Sequence, residues 1–448
     1  FASLMTSGIR PVSDFGWMMC LGMVIAFLTT FAFFASTLVL MRKEEGSPTL
    51  GASPKVTAGL CNLVLTRPVQ LVRGGLLVAG GGVIGMSMLS IDNRFIDYFD
   101  RDTEIYQGMH YLDTTLGGTI PIDIVLQFEA FDESSDLEDD PFASDTDERY
   151  PEKYWFTVEK LETAERLQAF LESRPEVGKV MSIASIERTA RGLKDGEALD
   201  ALQVVGILEY VPPAVREAFI SPYASPSQGQ LRVNARLRES YPDLDRNELI
   251  ADIRSYAEDS LSIASERVRI TGMGVLFNDM LRQLIASQVS TVGFVLIATF
   301  AMFAVLLKST TLGLIGIVPN IIAPLAVLGF MGFAGIPLDM MTTIIASVVI
   351  GIGVDDAIHY LHRFRDERQR DASVQDAITQ AHASIGSAMY FTSLSVMLGF
   401  SVLALSNFVP TVYFGILTAL AMALALLVNL TVLPAILLLV YGKPPGPG

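Results

Sequence analysis

Long stretches of this chain run for eighteen or more residues with almost no charge, and such a stretch can cross a bilayer only as a helix that satisfies its own backbone hydrogen bonds. Seven spans can be read, at about 16–41, 74–90, 287–307, 312–333, 340–362, 386–405 and 412–441. The composition agrees, with 51% of the 448 residues hydrophobic. Between the second and third spans lies a polar stretch of nearly two hundred residues, long enough to fold as a lobe of its own. The expected class is an α-helical polytopic membrane protein carrying an α+β domain outside the membrane.

Orientation follows from the placement of Lys and Arg. Arg42, Lys43, Lys55, Arg67 and Arg73 fall in one linker, Lys308 in a tight turn, and Arg363, Arg365, Arg368 and Arg370 after the fifth span, whereas loops 334–339 and 406–411 carry none. The positive-inside rule puts the basic segments in the cytosol and the polar lobe outside it, with Arg10 the one exception. The expected division is 1–41 and 74–90 as membrane segments around a cytosolic linker 42–73, then a lobe 91–286, membrane spans 287–441 and a cytosolic tail 442–448.

Within the lobe, Ile120, Ile122, Ile124, Leu126 and Phe128 alternate as in a strand. Val158, Leu161, Ala164, Leu167 and Leu171 then form a helical stripe, and Val177 to Ile183 reads as a short strand. The order repeats with Leu231, Val233, Ala235 and Leu237, then Leu249, Ile253, Tyr256 and Leu261, then Val268 to Thr271. Strand, helix, strand twice over predicts a split βαβ, ferredoxin-like lobe, with 184–225 and the acidic stretch Glu129 to Glu148 as insertions.

The net charge of −16 is concentrated in part in that acidic stretch, which reads as a solvated insertion and not as a calcium loop, since its acids lack EF-hand spacing. Nucleic acid is excluded as a partner. Cys20 and Cys61 support neither a disulfide framework nor a thiolate metal site, and no cofactor is expected.

One span carries acids. Asp355 and Asp356 follow the apolar run Met340 to Val354 and precede Ala357-Ile358-His359-Tyr360-Leu361. A charge at the bilayer centre costs roughly 2.5 to 3.5 kcal/mol on insertion scales, so such a pair points to function. Asp355 stands eight residues before Arg363, about 12 Å along a helix, which is nearer the middle of the hydrocarbon than its edge. Positions four apart share a helix face, so Ser347, Gly351, Asp355 and His359 form one stripe and Val348, Ile352, Asp356 and Tyr360 the next. The small residues Ser347 and Gly351 predict a neighbouring helix packed close beside Asp355, and both carboxylates are expected to be buried among spans. Burial and a like-charged neighbour both oppose ionisation, which suits a pair that takes up and releases a proton. His359 is a candidate third member. The next span offers the hydroxyls of Thr392, Ser393 and Ser395, which either serve the carboxylates or bond back to their own helix. Asn320 after Pro319 is a further polar candidate, and Gly74, Gly75, Gly80, Gly81, Gly82 and Gly85 read as a packing face.

Two other readings of Gly351-Ile352-Gly353-Val354-Asp355 fail. A dinucleotide fingerprint needs a glycine where Asp356 stands and a strand before it. An intramembrane aspartyl protease needs its Asp directly after the second glycine, where Val354 stands, and a partner Asp that no other span supplies.

Gly351 to His359, followed by Arg363-Phe364-Arg365, Thr392-Ser393-Leu394-Ser395, Gly399-Phe400, Phe408-Val409-Pro410, Phe414-Gly415 and Leu433-Pro434, resembles the resistance-nodulation-division (RND) superfamily, nearest its MMPL-type and Patched-like exporters. Pro319-Asn320, Thr271-Gly272 and Gly117-Gly118 extend the likeness over nearly the whole chain. The resemblance implies twelve spans in two halves, each with an outer porter domain, and proton-driven export of lipids or other hydrophobic compounds. It implies that this chain runs from the end of span five through span twelve of a bacterial inner-membrane protein, its partner being the preceding half of the same polypeptide, with a homo-oligomer possible. In that family the acids of span four face span ten, which Asp355 and Asp356 match. The resemblance leaves open a Sec-type accessory translocase and a sterol-sensing Patched-like protein.

Overall fold

The computed structural model describes residues 10–40, 55–90, 94–129, 155–192, 211–242 and 244–442, with Met5 and Gln203 besides. The chain divides into two compact units, Phe1–Asn93 with Met280–Gly448, and Arg94–Asp279.

Among the described residues seven helices are long and apolar enough to cross a membrane. They are Arg10–Leu40, Pro68–Met86, Met273–Leu307, Thr310–Ala334, Ile345–Gln369, the run Val374–Leu405 and Val409–Tyr441. Three begin well before the apolar runs that announce them, at Pro68, Met273 and Val374 where hydropathy gives 74, 287 and 386. Backbone hydrogen bonding continues through polar residues, so helix ends follow caps and not lipid. Pro68 occupies a first-turn position where its missing N–H is not needed, and the Ser373 hydroxyl accepts the Asp376 N–H at 3.1 Å. The segment read as a plain linker also holds the helix Lys55–Thr66, too short to span, whose Thr57, Cys61 and Val64 are buried.

The Pro68–Met86 helix packs on Thr310–Ala334 through glycine. A Cβ at Gly82 would meet the Leu325 carbonyl, and one at Gly85 the Gly329 backbone; Gly332 in turn lies against the Gly85 carbonyl. Gly75 packs on Val432. Gly74, Gly80 and Gly81 meet nothing within 4 Å, so the packing face has three of the six expected glycines. Pro319 and Pro324 stand inside the partner helix, where each removes a backbone donor, and the buried Asn320 amide donates to the Gly316 carbonyl at 3.1 Å.

The second unit holds a five-stranded antiparallel sheet of β1 (Ile120–Gln127), β2 (Val177–Met181), β3 (Ala224–Ser225), β4 (Gln230–Leu237) and β5 (Val268–Thr271). Its order is β2-β4-β1-β5, with β3 on β4. Register pairs Ile122 with Ala235 and Ile124 with Val233, which puts both alternating apolar sets on one buried face. The helices Val158–Glu172 and Arg246–Asp259 bury Leu161, Ala164, Leu167 and Leu171, and Leu249, Ile253 and Ala257; Val158, in the first turn, is exposed. Strand, helix, strand therefore occurs twice, as the periodicities predict. The stretch read as an insertion after Ile183 is not all peripheral, since the helix Ile183–Gly192 buries Ala184 in the same core. Apart from Glu129, the acidic stretch lies outside the described residues.

Two buried carboxylates tie the start of this unit to the end of β4. Asp113 accepts the backbone N–H groups of Glu239 and Ser240 at 2.9 and 2.7 Å and the Thr119 hydroxyl at 2.9 Å. Glu239 accepts the N–H groups of Phe95 and Ile96 at 3.0 and 3.2 Å and faces Arg246 at 3.5 Å. Burial opposes charge on Asp113, but the bonds from Ser240, Glu239 and Thr119 outweigh it and hold the carboxyl below its usual range. Burial pushes Glu239 up, and the Phe95 and Ile96 amides and Arg246 offset this only in part. The stabilisation from Asp113 is therefore present above the unfolded carboxyl value near 3.9 and is lost as pH falls through the lower folded value. Asp113→Asn, which removes the charge and one acceptor, is expected to cost about 1 to 3 kcal/mol. Amide exchange over 94–119 and 237–240 in the whole chain should quicken accordingly, and unchanged protection would contradict the assignment.

Candidate functional site

The helix bearing the acids is started by a reciprocal cap. Asp339 Oδ1 accepts the Thr342 N–H at 2.6 Å while the Thr342 hydroxyl accepts the Asp339 N–H at 2.8 Å, fixing one turn, Met340–Thr343, ahead of Ile345–Gln369. Adjacent residues on a helix point about 100° apart, and this separates the two carboxylates. Asp356 is buried, 7% exposed, and accepts the Ser393 hydroxyl at 3.3 Å. Asp355 is on the outer face, its side chain 76% exposed, with His359 Nε2 3.3 Å away.

The expectation that both acids are buried is thus corrected for Asp355, and so is the close helix beside it. Gly351, one turn before Asp355, has nothing within 4 Å of where a Cβ would stand. The close approach is at Gly353, one turn before Asp356, where a Cβ would lie 2.9 Å from Asn320 Oδ1 and 3.8 Å from Ala425 Cβ. Ser347 is buried and its hydroxyl accepts the Gln288 amide at 2.8 Å. Of the three hydroxyl candidates only Ser393 reaches a carboxylate. Thr392 bonds to the Ala388 and Met389 carbonyls at 3.2 and 3.0 Å and Ser395 to the Phe391 carbonyl at 2.9 Å, because each points away from the Asp356 helix and finds its nearest acceptor on its own turn.

One turn beyond Asp356 the hydroxyl of buried Tyr360 meets His382 Nδ1 at 2.8 Å, and His382 Nε2 meets the Leu430 carbonyl at 2.9 Å. The sequence pattern puts Tyr360 on the Asp356 stripe, whereas His382 precedes the apolar run of its span and belongs to no stripe. Further along, Arg363 pairs with Glu367 at 2.8 Å and Arg365 donates to the Leu306 carbonyl at 3.3 Å. The membrane unit also holds a partly open cavity of about 330 Å³. Met86, Leu89, Val292, Leu296, Leu328 and Ile350 make it apolar, and Gln288 and Asn320 line it with their amides bonded to Ser347 and Gly316. Among the described residues no cluster of His, Cys, Asp and Glu could hold a metal ion.

A buried carboxyl that accepts a hydroxyl can hold a proton inside a membrane and can give that proton up when water reaches it. An apolar cavity of this size admits a hydrocarbon chain or a small ring system.

Residues 168–444, more than half of the chain, match the model of the MMPL family. A putative membrane protein of Methanocaldococcus jannaschii is 33% identical over 149 residues, covering 29% of this chain and 38% of that protein. A hopanoid transporter of Burkholderia multivorans is 28% identical over 185 residues, 40% of this chain and 20% of the transporter. Protein patched homolog 2 of mouse is 34% identical over 143 residues, 31% of this chain and 12% of that protein. The matches thus take in no more than 38% of any of these relatives.

Proposed function

The chain belongs to the MMPL family, and from that premise we propose that the full-length protein is a secondary transporter that exports a lipid or other hydrophobic compound in exchange for protons. The observation that carries the proposal is the split of the acidic pair: Asp356 turned inward onto Ser393, Asp355 turned out on the surface of a membrane helix. A charge facing lipid at that depth costs roughly 2.5 to 3.5 kcal/mol, so the outer face needs a polar cover. The resemblance supplies one, the acidic span of the preceding half. Asp355 then meets that span while Asp356 and Ser393 hold a proton on the inner side, and exchange of the proton drives one bundle to rock against the other.

The cavity lined by Met86, Leu89, Val292, Leu296, Leu328 and Ile350 supports a hydrocarbon substrate. The hopanoid transporter among the relatives makes a hopanoid the natural probe. The sheet order β2-β4-β1-β5, with a helix in each crossover, supports reading the second unit as a ferredoxin-like porter lobe. The positive-inside pattern supports its placement outside the cytosol of a bacterial inner membrane.

The hydroxyls provide a graded test. Ser393→Ala, which removes the only donor to Asp356 among the described residues, is expected to slow hopanoid export by the full-length protein about fivefold, as for a loss of roughly 1 kcal/mol. Thr392→Ala and Ser395→Ala should leave the rate at the parental value. Equal effects at all three positions would show that the bond to Asp356 is incidental.

A further inference from the structure

Of the chain's four histidines, His110, His359 and His362 are exposed and His382 alone is buried. It stands at the head of a widened turn, His382–Gly386, where the helix loosens from α to π spacing, a feature often found at functional positions. Three oxygens surround its ring. Nε2 is 2.9 Å from the Leu430 carbonyl, and Nδ1 is 2.8 Å from Tyr360 Oη and 3.1 Å from the Ile378 carbonyl.

Carbonyl oxygens accept and never donate, so the Leu430 carbonyl requires a proton on Nε2. Two arrangements then remain at Nδ1. In the neutral ring Nδ1 is a lone pair and takes the Tyr360 hydroxyl hydrogen, and the Ile378 carbonyl beside it keeps only the backbone N–H of His382. When a proton binds Nδ1, the new N–H donates to the Ile378 carbonyl, and the Tyr360 hydroxyl turns its hydrogen away and offers a lone pair instead. The exchange gives up the Tyr360 O–H···Nδ1 bond and gains one from Nδ1 to the Ile378 carbonyl. A neutral structural histidine needs one acceptor and one donor; this one has an acceptor-only oxygen at each nitrogen and a reversible hydroxyl besides at Nδ1.

We propose that His382 is a second proton-binding site of the membrane unit, with Tyr360 as its switch. The three oxygens belong to three helical segments, those of Tyr360, Ile378 and Leu430, so a bound proton draws them together. Tyr360 lies one turn from Asp356 on the same stripe, which puts His382 next in line on the side of Arg363 to Arg370. That place in a path rests on proton-driven export; the binding site itself does not. The ionisable groups around it are few. The Ile345–Gln369 helix brings Tyr360 and, a turn further, Arg363 already paired to Glu367. The Lys55–Thr66 helix brings Cys61, whose Sγ meets the Thr379 hydroxyl at 3.9 Å. The Val409–Tyr441 helix presents its Leu430 carbonyl, its Tyr441 lying at the far end against Phe364.

Nitrogen-15 histidine resonances of the full-length protein in lipid nanodiscs test this without any substrate. With His110, His359 and His362, and any histidine in the preceding half, changed to Gln, His382 is the sole signal. The expected result is a ring protonated on Nε2 with a hydrogen-bonded Nδ1 at pH 8.5, converting to protonation on both nitrogens as the pH is lowered to 4.5. Tyr360→Phe, which keeps the ring packing and deletes one oxygen, should abolish the hydrogen-bonded Nδ1 signature at pH 8.5. A ring that keeps one protonation state throughout that range, or a spectrum indifferent to Tyr360→Phe, overturns the proposal. Neither outcome depends on transport, so failure here is distinct from failure of the acidic pair to drive export.

Discussion

Gly85→Leu is expected to separate the Pro68–Met86 and Thr310–Ala334 helices and to leave little folded membrane unit. A side chain at Gly85 runs into the backbone of Gly329, and Gly332 is closed off by the Gly85 carbonyl in the same way. Flexible side-chain tips can swing aside; helix backbone cannot, and with no hydrophobic drive between helices in lipid the close contact is itself the attraction. Overpacking of a core commonly costs 1 to 3 kcal/mol, and obstruction by backbone at two levels should exceed that, roughly 3 kcal/mol or more. Gly81→Leu is the control, since nothing lies within 4 Å of its Cβ position. Thermal unfolding of the purified full-length protein in detergent should show a large loss for Gly85→Leu and almost none for Gly81→Leu. Similar stability in both would mean that the glycine seam does not hold these helices. Met86 and Leu328, near the seam, also line the cavity, so a surviving Gly85→Leu protein should bind hydrophobic compounds poorly.

Asp355→Asn is expected to reduce gradient-driven lipid export to background with folding intact, and Asp356→Asn to do the same. The two get there differently. Asp355 makes one contact among the described residues, with His359, so replacing its charge by a neutral amide disturbs no packing in this chain and is cheaper to place in a membrane. Asp356 loses the form that can trade a proton while an amide can still accept the Ser393 hydroxyl. Yield and melting temperature of both variants should stay close to the parent while transport is lost. Export surviving in Asp355→Asn alone would confine the role to the inner carboxylate and remove the need for an acidic partner facing it.

Much of this arrangement is legible in the sequence where one physical periodicity acts alone. The alternation of Ile120 to Leu126 and of Leu231 to Leu237 places both strands because a slip of one residue would turn an entire apolar set out of the buried face. The apolar runs place the spans for a similar reason. Helix starts are less legible, since Pro68, Met273 and Val374 are set by caps and by continuity through polar residues, to which hydropathy is blind. The acidic helix shows the limit most clearly. Both of its stripes carry small or apolar residues, so periodicity could not say whether Asp355 or Asp356 turns inward; in the fold it is the Gly353 face that lies against Asn320 and Ala425. Thr392, Ser393 and Ser395 were equivalent for the same reason, until the rotation of their helix gave Ser393 alone to Asp356. His382 carried only the weak signal of a histidine beside an apolar run, and its worth depends on Tyr360 and Leu430, far away in the chain.

Movement of protons through the acidic pair is proposed to power export. Its most direct test is transport of a hopanoid probe by the purified full-length protein in proteoliposomes under an imposed pH gradient, with the double variant Asp355→Asn, Asp356→Asn beside the parent. The parent is expected to move the probe only while the gradient lasts, in a direction that reverses with it, and the double variant to move none. Gradient-driven transport undiminished in the double variant would contradict it.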